Sequence, residues 1–113
     1  MATARFSRWD VVAVPFPYTD RPISQRRPAL VVSSQRFEMT YGLLWVVMIT
    51  AAENRRWPDD VEVEDLDAAG LPIPSIVRPS KIATVEVSHA RRRGILGPAA
   101  RRAVETALRR YLT

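Results

Sequence analysis

Cysteine is absent from this 113-residue sequence, and histidine (His89) and lysine (Lys81) occur once each. The first absence excludes disulfides and thiolate metal sites. A single histidine leaves little basis for a zinc centre and excludes acid–base chemistry on a histidine pair. The four glycines, Gly42, Gly70, Gly94 and Gly97, are too scattered to make a phosphate-cradling loop. No apolar run approaches the roughly 18 residues of a membrane-spanning helix; the longest, 43–49, has the length of a strand. The N-terminal residues contain no apolar stretch of signal-peptide type, so no membrane association is expected and the cytoplasm is the default location. What is there is ordinary for a globular chain: 47% hydrophobic and 26% charged residues. The length predicts one domain over 1–113, large enough to hold a core without staples.

Charge is more informative. Seventeen basic residues stand against 12 acidic ones, a net +5, and every basic residue except Lys81 is an arginine. Arginine forks onto phosphate with two hydrogen bonds, so the bias suits an anionic partner; a coding bias towards arginine gives the same count. Residues 1–50 carry six arginines and three acids, 53–67 carry seven acids with only Arg55 and Arg56, and 78–113 carry nine basic residues and two acids. An acidic segment between two basic ones points to separate faces for separate partners.

Residues 10–16 (Asp-Val-Val-Ala-Val-Pro-Phe) read as a strand that ends, or lies at a sheet edge, at Pro15, which has no N–H to donate. The polar stretch 17–26 contains two prolines and reads as a connecting loop. Residues 28–33 form a second strand. Residues 43–50 form a third, apolar on both faces and therefore central. Strict alternation over 60–64 fits a half-exposed strand, and 75–87 holds one or two more, interrupted at Pro79. After Gly97 the period changes. Ala100, Ala103, Val104, Ala107, Leu108, Tyr111 and Leu112 make a helical stripe, with Pro98 suited to the first helical position. Five or more short strands and one terminal amphipathic helix predict a mainly β fold, a small bent sheet or barrel with the helix over one opening or face.

Few residues remain to carry chemistry. His89 lies beside Ala90-Arg91-Arg92-Arg93 at an expected strand end and reads as a solvated or capping side chain. Asp59-Asp60 and Glu62-Val-Glu64-Asp65 are metal ligands in principle, but alternation puts Glu62 and Glu64 on one exposed face, which is also what a solubility surface looks like. Arg26-Arg27-Pro28 lies at a loop-to-strand junction. Pro28 biases Arg27 towards an extended backbone and projects its guanidinium at a defined angle, towards solvent or a phosphate. Thr50 ends the most apolar strand, where its hydroxyl is either a strand-end cap or a donor at the rim of a cleft.

The order Asp10-Val-Val with Pro15-Phe16-Pro17, a polar loop, Arg27-Pro28-Ala-Leu-Val-Val-Ser33, an apolar strand ending Ile49-Thr50, and Ser75-Ile-Val-Arg78-Pro-Ser-Lys81 resembles the MazF/PemK family of toxin–antitoxin ribonucleases over residues 8 to 112. The resemblance implies an SH3-like barrel of the CcdB/PemK type that forms a homodimer. It implies sequence-selective cleavage of single-stranded RNA without a metal or cofactor, and neutralisation by an antitoxin whose acidic tail occupies the RNA groove. Carried over by position, the catalytic arginine is Arg27 and the catalytic hydroxyl is Thr50. Arg26, Arg78 and Lys81 become candidate phosphate contacts, and Trp57 or Tyr18 a platform for a splayed base. The Arg91-Arg92-Arg93 run is either a further RNA contact or solvated surface. One departure is visible: the family's first strand usually opens Gly-Asp, and here it opens Trp9-Asp10. Two other readings stay open. The CcdB branch of the fold poisons DNA gyrase by contact and cleaves nothing, and a basic barrel can bind RNA without turnover.

Overall fold

The computed structural model describes residues 3–15 and 25–113. These residues form a six-stranded sheet in the order β4-β5-β3-β2-β1-β6. The strands are β1 (Asp10–Pro15), β2 (Arg26–Val31), β3 (Leu43–Ala51), β4 (Val61–Glu62), β5 (Ser75–Glu86) and β6 (Arg91–Ile95), and the helices are α1 (Gln35–Tyr41), α2 (Leu66–Ala69) and α3 (Pro98–Leu112). Every neighbouring pair is antiparallel. The apolar strand β3 lies inside the sheet between β5 and β2, as its two-sided apolarity predicts. The described part of β1 runs to Pro15, which pairs with Arg26. Phe16, Tyr18 and most of the loop expected over 17–26 lie outside the described residues.

The sheet is buried on both faces. Val11, Leu30, Val47, Ile49 and Val77 pack with Leu71, Leu96 and the Ala100, Val104 and Leu108 stripe of α3. Val12, Val14, Ala29, Val31, Val46 and Val85 pack on the opposite face beneath Phe6. A step of one residue along β1 or β3 changes the cluster, which is the period of two that a strand imposes. Each buried Val or Leu contributes about 1.5–3 kcal/mol, so these two clusters carry the fold. The helical stripe is buried at Ala100, Val104, Ala107 and Leu108 but not at Ala103, Tyr111 or Leu112. Tyr111 instead donates its hydroxyl to Asp59 Oδ2 at 2.8 Å. Partial desolvation, and then that hydrogen bond, push its phenol pKa upward. Among the described residues, no helix is long and apolar enough to cross a membrane.

Four elements differ from the sequence expectation. Pro79 does not divide 75–87: β5 is continuous, and the register against β3 jumps from Val47–Ile82 to Met48–Arg78, so residues 79–81 bulge out of the ladder. The strand expected over 60–64 is only Val61–Glu62. Helix α1 follows a Ser34 cap whose hydroxyl accepts from the Phe37 N–H at 3.1 Å. Its buried Glu38 carboxylate accepts the backbone N–H groups of Arg5 (2.6 Å) and Phe6 (3.0 Å), pinning Phe6 over its cluster. His89 lies in a short 3₁₀ turn, not at a strand end, and the basic run after it forms edge strand β6.

Helix α2 meets β6 through two glycines. A Cβ at Gly94 would stand 2.2 Å from the Ala68 carbonyl oxygen, and one at Gly70 would stand 2.2 Å from that of Arg93. Gly70 also has φ +69°, a conformation that an L side chain adopts only under strain. Backbone faces backbone here, and no flexible side chain can move aside. Gly94→Ala should therefore destabilise the protein by about 2–3 kcal/mol, towards the upper end of overpacking costs. Urea unfolding followed by circular dichroism measures this, and an unchanged midpoint would mean that α2 can slide off β6 at no cost.

Candidate active site

A cleft of about 360 Å³ opens where β2 begins and β3 ends. Its walls include Arg26, Arg27, Thr50, Asn54, Arg93 and the apolar segment Leu71-Pro72-Ile73. The sheet register explains why two residues 23 positions apart share it. β2 and β3 pair through Val31–Val46, Leu30–Val47 and Ala29–Met48. The ladder ends at Ala29–Met48, so Arg27 and Thr50 each lie two residues beyond its last pair, at the same end of the two strands. On the other side of β2, Arg27 is paired with Val14 of β1.

The arginines of the cleft are not equivalent. Arg26 donates from one terminal nitrogen to the His89 carbonyl oxygen at 2.7 Å and is tied to the 3₁₀ turn. Arg27 and Arg93 are exposed, and among the described residues neither has an ion pair or a side-chain hydrogen bond. Two guanidinium groups with no such partner among the described residues therefore line one cleft, which suits a phosphate or carboxylate guest. Thr50 is half-buried, and its Oγ1 accepts a hydrogen bond from Asn54 Nδ2 at 2.6 Å. Leu71, Pro72 and Ile73 supply an apolar wall beside these polar groups.

The structure brings Arg26, Arg27 and Thr50 together and leaves Trp57, Arg78 and Lys81 outside the cleft. Arg78 is buried. Its guanidinium pairs with Asp60 through Nε at 3.2 Å and a terminal nitrogen at 3.0 Å, and the same nitrogen reaches the Arg55 carbonyl at 2.7 Å. Trp57 lies against it, with the guanidinium carbon 4.1 Å from the ring centroid. In place of the phosphate contact expected from the sequence, Arg78 is a framework side chain, because a buried guanidinium needs an anion within the fold. Lys81 is exposed in the β5 bulge. Three of the five carboxylates considered as metal ligands are paired with other side chains. Asp60 holds Arg78, Asp59 holds Arg110 and Tyr111, and Glu62 holds Arg56.

Asn54 escapes sequence reasoning, and Arg93 enters it only as one of the Arg91-Arg92-Arg93 run, although strand alternation separates it from Arg92, which pairs with the buried Asp10 at 2.7 Å. Asn54 follows β3 in a tight turn closed by its own N–H to the Ala51 carbonyl at 3.0 Å. The distance of four residues from Thr50 gave no signal, since the turn geometry alone brings the two together.

A family model for PemK-like, MazF-like toxins of type II toxin-antitoxin systems matches residues 7–112. The chain belongs to this family. Solved structures agree with it in fold. MazF in a MazE-MazF complex from Deinococcus radiodurans superposes with a TM-score of 0.74 at 18% identity, covering 94% of this chain and 93% of that one. An endoribonuclease in complex with its cognate antitoxin, from a mycobacterial species, gives 0.73 at 22% identity with the same coverage. The Mycobacterium tuberculosis toxin MazF-mt6 gives 0.69 at 21% identity, covering 88% and 91%. No curated protein matches the chain in sequence. The six-stranded curled sheet with its C-terminal helix is thus the fold of the PemK and MazF toxins.

Proposed function

We propose that this MazF-type toxin is a metal-independent, sequence-selective endoribonuclease acting on single-stranded RNA. The observation that carries the reading is the convergence of the Arg27 guanidinium and the Thr50 hydroxyl on one cleft that also holds Arg26 and Arg93. RNA brings its own nucleophile. The 2′-oxygen attacks the adjacent phosphorus, the P–O5′ bond breaks, and the products are a 2′,3′-cyclic phosphate and a 5′-hydroxyl. One proton leaves the 2′-hydroxyl and one reaches O5′. An arginine holds its proton in proteins, so Arg27 contributes charge and not basicity. It binds two phosphate oxygens and stabilises the dianionic transition state, while Thr50 donates to the same phosphate. The Leu71-Pro72-Ile73 wall gives a nucleobase an apolar surface.

An acidic peptide meets the same cations, so a cognate antitoxin with an acidic tail inhibits by occupying this cleft. The antitoxin complexes formed by relatives of the same fold support that partner. The toxin works in the cytoplasm as a homodimer.

The test is a digest of a long single-stranded RNA by purified protein, with sequencing of 5′-hydroxyl ends. New ends should recur at one short sequence, with or without EDTA. An oligonucleotide carrying a single 2′-deoxy substitution at the cleaved position should resist. Cleavage that ignores the deoxy substitution overturns 2′-hydroxyl attack, loss of activity in EDTA returns the chemistry to a metal, and the absence of any new ends favours a toxin that acts by binding protein.

A further inference from the structure

We infer that Asn54 is a positioning residue for the Thr50 hydroxyl, an assignment that rests on the ribonuclease reading of the cleft. A threonine hydroxyl has one hydrogen to donate and two lone pairs to accept with. At a strand end that hydrogen has competitors, because a threonine readily turns its hydroxyl onto nearby backbone carbonyls. The Asn54 amide is 2.6 Å from Thr50 Oγ1 and approaches it as a donor. One lone pair is thereby fixed, and the O–H is directed away from Asn54. The bond received also polarises the O–H, which strengthens the one it gives.

The scaffold behind Asn54 suits this role. Its backbone N–H closes the turn onto Ala51, and the Ala52 N–H is held by the Pro74 carbonyl at 2.9 Å. The turn is therefore fastened to β3 at one point and to the segment before β5 at another, while the Asn54 side chain stays exposed and lines the same cleft as Thr50. An exposed side chain fixed in this way adds little to stability, and its hydrogen bond acts on the direction of a neighbouring hydroxyl. Asn54 need not touch the phosphate.

A double-mutant cycle tests this, using single-turnover and steady-state cleavage of a fluorescent oligoribonucleotide that spans a site mapped in a long RNA. Thr50→Val should lower kcat about 100-fold by removing one transition-state donor. Asn54→Ala keeps the hydroxyl but releases its direction. It should lower kcat about 10-fold with KM within about twofold, and leave the melting temperature unchanged. In the Thr50→Val background, Asn54→Ala should change kcat by less than about twofold, because no hydroxyl remains to be aimed. Full kcat in Asn54→Ala overturns the proposal. So does an undiminished Asn54→Ala effect in the Thr50→Val background, which would mean that Asn54 acts on RNA directly. Full activity in Thr50→Val overturns the ribonuclease assignment of Thr50 itself, and so separates failure of that reading from failure of this one.

Discussion

Arg27→Ala should cut RNA about a thousandfold more slowly than the parent protein, a loss of about 4 kcal/mol of transition-state stabilisation. The size follows from the cleft. With no histidine present except His89, whose Nε2 sits 3.3 Å from Glu86 and which does not line the cleft, charge stabilisation is the main lever available on the phosphate. Arg26 cannot substitute, because it is tied to the His89 carbonyl. Arg93 stays in place and keeps RNA affinity from collapsing, so the loss should fall on kcat more than on KM. Arg27→Lys keeps a charge without the two-pronged fork and should recover only part of the rate, leaving a deficit of about 100-fold. Arg27 is exposed and makes no ion pair among the described residues, so both variants should melt with the parent. A wild-type rate in Arg27→Ala would remove the guanidinium from the mechanism.

How much of this was legible in the sequence depends on whether a feature is periodic or positional. β1, β2, β3 and α3 were readable because two-residue and 3.6-residue apolar patterns persist over enough residues to declare a face. Helix α1 was not read. Its seven residues are too few for a convincing stripe, and its Glu38 turns inward to hold the N–H groups of Arg5 and Phe6, more than 30 residues away in the chain. β6 was hidden because an Arg-Arg-Arg run has no apolar alternation; its partner β1 supplies the apolar half of the pair. Pro79 looked like a strand break, and the bulge at 79–81 absorbs it without ending β5.

The departure from Gly-Asp at the start of β1 has a structural counterpart. Trp9 has φ 80°, a left-handed conformation that glycine adopts freely and tryptophan does not. The strain is offset locally. The Trp9 N–H donates to the Val31 carbonyl at 2.8 Å, the Leu96 N–H donates to the Trp9 carbonyl at 3.0 Å, and the indole packs on the α3 side of the core under the Arg8 guanidinium. These contacts hold Trp9 in that conformation at the start of β1.

The candidate site divides along the same line. Arg27 and Thr50 lie just past the last β2–β3 pair and line one cleft, and the family resemblance had named both. Arg78 belongs to a different category, since only burial reveals that a guanidinium is committed to the fold.

That commitment predicts the largest stability effect. Asp60→Ala should destabilise the protein by about 3–5 kcal/mol and lower its melting temperature by roughly 15 °C. The Asp60 side chain is 1% exposed and that of Arg78 10%. Without the carboxylate, the guanidinium would be left with one carbonyl, that of Arg55, and the face of Trp57. Asp60 also accepts the Trp57 N–H at 2.9 Å, so the turn through Asp59, itself at φ 68°, loses its internal tie. Most of the cost arises from a stranded charge, so most of it should disappear when both partners are removed. Asp60→Leu combined with Arg78→Met should be far more stable than Asp60→Ala and should approach the parent. Arg78 faces Met48, two residues before Thr50. The double variant should therefore keep β3 in place and retain RNA cleavage, as expected if Arg78 makes no phosphate contact. A double variant that folds like the parent yet has lost cleavage would return Arg78 to the RNA-binding surface.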